Sequence, residues 1–74
     1  MITQQMFDEK VSTPDGLTEI REAIAACILL TPGASRVFQT EEEEETIFFE
    51  ILGELTKKDS QKLLTEARAV GIVE

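Results

Sequence analysis

Residues 23 to 30, Ala-Ile-Ala-Ala-Cys-Ile-Leu-Leu, form an unbroken apolar run in a chain of 74 residues. They continue a pattern that begins earlier. Leu17, Ile20, Ile24, Cys27 and Ile28 recur at the spacing of one face of an α-helix. Beyond Ala23 this helix has no polar side, because Ala25, Ala26, Leu29 and Leu30 fill the rest of its circumference. A helix apolar all round is normally wrapped by other elements. The run is also far short of the roughly 20 residues that cross a bilayer. The chain is therefore expected to fold around this helix, with the remaining segments supplying the cover.

The central helix has readable ends. Thr13-Pro14-Asp15-Gly16 is a start signal, with Thr13 or Asp15 as cap and proline tolerated in the first turn. Thr31-Pro32-Gly33 ends it. Arg36, Val37, Phe38 and Gln39 follow as a short β-prone piece, either a small strand or a tucked loop. Thr40 opens a second helix with the capping box Thr40-x-x-Glu43. Ile47, Phe48, Ile51, Leu52 and Leu55 make its apolar stripe. Thr56-Lys57-Lys58-Asp59 restarts the chain, and Leu63, Leu64, Ala67 and Val70 line one side of a third helix. Gly71 stands where a left-handed residue ends such a helix, and Ile72 where its apolar follower packs back. Residues 72–74 are a candidate short strand.

The expected fold is mainly α: a compact bundle of three main helices with room for a minor two-stranded element. Residues 1–12 are an N-terminal arm or a short helix capped by Thr3, and residues 13–74 a single small helical domain. The order of elements also fits a truncated winged-helix-like arrangement, because the ending from Ala67 to Glu74 resembles how winged-helix domains leave their third helix. The final strand and wing of that arrangement are missing from the sequence.

Composition removes several function classes. One cysteine, Cys27, permits no internal disulfide, and with no histidine present a zinc site lacks its usual ligands. No metal or cofactor is expected. General acid–base chemistry leans on histidine or on carboxylates in a cleft, while most carboxylates here fall on water-facing helix positions. Cys27 lies inside the apolar run, where a thiol acts as a small core group. The four glycines are scattered and form no phosphate loop. A catalytic role is not expected. Residues 1–5 lack the basic-then-apolar order of a signal peptide, so a cytoplasmic location is expected, with no membrane association.

The formal net charge is −8, from 15 acidic and 7 basic residues. It is unevenly divided: residues 31–55 carry −6, whereas residues 56–74 carry +1. The run from Glu41 to Glu45 is a solvated helix start favoured by the dipole, or a contact surface. Glu42, Glu43, Glu50 and Glu54 project away from the apolar stripe. Glu50 and Glu54 form an i,i+4 like-charge pair, which costs about 0.2–0.5 kcal/mol in an isolated helix. Phe49 also falls off the stripe and shares its side with Thr46 and Gly53. Either a neighbouring segment such as residues 1–12 covers it, or it is an exposed aromatic anchor.

Two functions follow. The first is a non-catalytic acidic interaction module, a regulator, inhibitor or adaptor. It binds a partner protein with a basic surface through Glu42, Glu43, Phe49, Glu50, Gly53 and Glu54. A homo-oligomer is an option, one copy's basic third helix meeting another's acidic second helix. The alternative is a helix-turn-helix or truncated winged-helix nucleic-acid binder using Lys57, Lys58, Gln61, Lys62 and Arg68. A charge of −8 disfavours general affinity for phosphate backbones.

Overall fold

The computed structural model describes residues 1–30 and 40–74. Among them are four helices: α1 Gln4–Val11, α2 Pro14–Leu30, α3 Glu41–Thr56 and α4 Ser60–Ala69. The fold is mainly helical. The break at residues 31–33 and the β-prone piece at residues 36–39 lie outside the described residues.

One local device starts every helix. A side-chain oxygen accepts a hydrogen bond from the backbone N–H three residues later, satisfying a donor that the helix itself leaves unpaired. Thr3 Oγ1 accepts from Met6 at 3.2 Å, and Thr13 Oγ1 from Gly16 at 3.1 Å. Thr40 Oγ1 accepts from Glu43 at 3.2 Å, and Asp59 Oδ1 from Lys62 at 2.9 Å. Each cap contributes about 1 kcal/mol. α4 ends on Gly71, whose φ of 85° suits a residue without Cβ. There the Gly71 N–H donates to the Arg68 carbonyl and the Ile72 N–H to the Ala67 carbonyl, which completes a Schellman turn.

α2 packs against each of the other three helices and is the central element. The core comprises Phe7 of α1, Ile20, Ile24 and Ala25 of α2, Leu55 of α3, Leu63 and Ala67 of α4, and Val73. Phe7 is only 1 % exposed, so α1 is a full contributor to the core. α1 and α2 meet at a tight corner. Gly16 is buried there, and a Cβ on it would run into the Lys10 carbonyl oxygen and lie 2.8 Å from the carbonyl carbon. Among the described residues, strand-like pairing is limited to a parallel bridge between Ile2 and Val73. In it the Ile2 N–H donates to the Ile72 carbonyl at 2.9 Å, and the Glu74 N–H to the Ile2 carbonyl at 3.1 Å.

The core lies toward one end of a molecule measuring 39 × 22 × 16 Å. No residue of α2 beyond Ala25 is buried, and the buried residue of α3 is Leu55, near that helix's far end. The expectation that residues 23–30 are wrapped on all sides is therefore corrected. Ala23 is exposed, residues 26–29 are half-buried and Leu30 is 75 % exposed. The reason is chemical. Where the end of α2 meets α3, the neighbouring side chains include Glu41, Glu44 and Glu45, whose carboxylates keep to water. Cys27, expected as a core thiol, is half-buried.

Candidate functional site

The candidate site is built on α3. Its first turn carries Glu41, Glu42, Glu43 and Glu44, which complement the positive end of the helix dipole. All five consecutive glutamates, 41–45, are exposed. Farther along, Phe48, Ile51 and Leu52 pack half-buried against the core. Phe49 steps off that side. It is 63 % exposed and meets Phe48 edge to face, with ring centroids 5.8 Å apart. Residues 1–12 do not cover it, because α1 packs on α2. Gly53 follows one helical turn after Phe49. A Cβ at Gly53 would have no neighbour within 4 Å, so no packing among the described residues requires glycine there.

Glu42, Glu43, Phe49, Glu50, Gly53 and Glu54 are all exposed on α3. Glu54 is engaged: Lys57 Nζ lies 3.3 Å from its Oε1. Beside this face lies a feature that sequence reasoning missed, an open groove of about 620 Å³ between the end of α2 and the start of α3. Its apolar floor is Ala26, Leu29, Leu30, Phe48 and Phe49. Its acidic side is Glu41, Glu44 and Glu45, not Glu42 and Glu43. The signal was available. Stepping back from Phe48 by three, four and seven residues reaches Glu45, Glu44 and Glu41, which continue the stripe that Phe48 and Leu55 occupy farther on.

The alternative face on α4 is partly neutralised by its own chain. Lys57 faces Glu54, and Lys58 Nζ lies 3.9 Å from Glu66 Oε1. Arg68 Nη2 donates to Gln4 Oε1 at 2.8 Å. Gln61 and Lys62 are exposed. The face that Lys57, Lys58, Gln61, Lys62 and Arg68 would form thus has Glu66 within reach of Lys58. Exposed pairs of this kind are worth about 0–1 kcal/mol, but they lower the positive field that would meet a phosphate backbone.

One carboxyl has a displaced titration. Lys10 Nζ lies 2.7 Å from Glu19 Oε2 at the α1–α2 corner, and its hydrogen bond and charge hold the Glu19 carboxyl below the usual glutamate range. This pair borders a second, smaller hollow with Met1, Ile2, Ile20, Ala23 and Ile72, distinct from the α2–α3 groove. No helix among the described residues is long and apolar enough to cross a membrane. Comparison with protein-family models, with curated proteins and with solved structures found no match to this chain.

Proposed function

We propose that this chain is a non-catalytic interaction module, a small helical domain that binds a partner protein with a basic surface through α3. The observation that carries this is Phe49. A large aromatic ring, 63 % exposed, stands among glutamates on a helix whose charged side chains are all acidic. Aromatics ringed by polar groups are characteristic binding anchors. Gly53 adds support. A glycine inside an exposed helix costs about 1 kcal/mol relative to alanine, and among the described residues no close packing at that position calls for it. A partner backbone approaching beside Phe49 would. The acidic field would also speed the encounter with a basic partner and make it salt-dependent.

A cytoplasmic setting accords with a single cysteine. Self-association of α3 with a second copy's α4 has weaker support, since Lys57 and Lys58 already face carboxylates of their own chain. The same ion pairs weigh against nucleic-acid binding through α4.

The test is affinity capture from the source cell with the wild type and Phe49→Ala in parallel, at low and high salt. A partner recovered by the wild type should be lost or reduced at least about 30-fold with the variant, the scale of a hot-spot residue. Equal recovery by both proteins removes Phe49 from the proposal.

A further inference from the structure

The groove between the end of α2 and the start of α3 sets an apolar floor beside a row of carboxylates. Its floor is apolar and includes Leu30, 75 % exposed, and Phe49, 63 % exposed. Its side carries Glu41, Glu44 and Glu45, within a single turn and a half of α3. Charge decides what can fill it. Two copies docked groove to groove would bring two sets of three carboxylates into one partly desolvated space, which is unfavourable at neutral pH. Anionic lipid and nucleic acid are repelled by the same groups. What complements both chemistries is an apolar stripe flanked by cations.

We propose that the α2–α3 groove receives an amphipathic helix of the partner protein. Its apolar stripe rests on Leu30 and Phe49, and a lysine or arginine row faces Glu41, Glu44 and Glu45. This rests on the proposed binding of a basic partner and specifies the element that makes contact. Glu41 and Glu45 are four residues apart, about 6 Å along the axis, which matches a pair of basic residues one turn apart on the incoming helix. Helix-in-groove recognition reads such i, i+3 and i+4 anchors.

The probe is a synthetic peptide of about fourteen residues, roughly 21 Å of helix, with leucines on one stripe and lysines on the rest. A scrambled peptide of equal composition has no stripe. Each is titrated into isotope-labelled full chain and followed by NMR. Two variants remove the same number of charges: Glu41, Glu44 and Glu45 to Gln on the groove side, and Glu42, Glu43 and Glu50 to Gln on the outer face. The groove variant should weaken the striped peptide by about tenfold, as expected for a few rim charges, and the outer variant by less than about threefold. Leu30→Ala, at an exposed position that folding does not depend on, should weaken it as well, and the scrambled peptide should bind poorly to all.

Equal weakening by both charge variants, or more by the outer one, would overturn the groove while leaving a basic partner on α3 intact. If neither variant weakens binding, both proposals fail. A dimer of the free protein that Leu30→Ala dissolves would give the groove to a second copy and overturn this inference. So would intramolecular contacts from Val37 or Phe38 to the groove that persist when peptide is added.

Discussion

Replacing Gly16 with alanine adds one methyl group to a helix, a change that ordinarily stabilises by about 1 kcal/mol. Here the opposite is expected. The new Cβ would meet the Lys10 carbonyl, 2.8 Å from its carbon and 2.9 Å from the Lys10 Cα, against the 3.4 Å where ordinary contact begins. These are backbone atoms, so no side chain can rotate away. α1 must therefore move away from α2, and Phe7, 1 % exposed, moves with it. Overpacking of this kind costs about 1–3 kcal/mol, more than the propensity gain. Gly53→Ala is the internal control. It is also a helix glycine, it has open space around the new methyl, and it should stabilise by about 0.5–1 kcal/mol. Because the propensity gain is common to both, the two variants should differ by the overpacking cost, about 1–3 kcal/mol, or at least about 4 °C in Tm for a domain this small. Urea and thermal unfolding followed by circular dichroism give both numbers. A Gly16→Ala protein as stable as Gly53→Ala, with an unchanged urea m-value, would refute the close approach of α1 to α2.

Two further outcomes follow from the same packing. Phe7→Ala should cost about 3–5 kcal/mol, a large part of the roughly 4–11 kcal/mol available to a chain this size; loss of the cooperative unfolding transition is the expected readout, and a loss under about 1 kcal/mol would show that α1 is an appendage. In Lys10→Gln the Glu19 carboxyl should titrate at its ordinary value, higher than in the wild type, as read by NMR of the side-chain carboxyl. Because its folded pKa is depressed, the Glu19 contribution to stability is present above the unfolded value and is lost as pH falls through the folded one; an unmoved titration in the variant would show that Lys10 is not the cause.

What the sequence made legible was local. Thr3, Thr13, Thr40 and Asp59 each act on a backbone N–H three residues away, so their roles can be seen without knowing the fold. Gly71 is similar, its conformation set by the turn it closes. The stripes of α3 and α4 located Leu55, Leu63 and Ala67 correctly in the core. The misses are all matters of what lies opposite. Gly16 reads as one more residue of a start signal until Lys10 is brought against it. The apolar end of α2 implied cover on every side, because periodicity reports what a helix could bury and is silent on its neighbours. Glu41, Glu44 and Glu45 were hidden by their own run: five glutamates in a row look alike, and only the extended stripe of Phe48 and Leu55 separates those beside the groove from those on the outer face.

The bridge between Ile2 and Val73 bears on the order of folding. Its partners are separated by nearly the whole described chain, so this pairing closes the largest loop the fold contains, and loop closure grows more costly with length. Val73 is 3 % exposed and can take its place only when α1 and α4 are both in position. A chain emerging from a ribosome can assemble α1 on α2 early, but it cannot seal its core until residue 73 is free. Any segment joined before Ile2 or after Glu74 would leave from the same small patch, at the end that holds the core, with the groove end left clear.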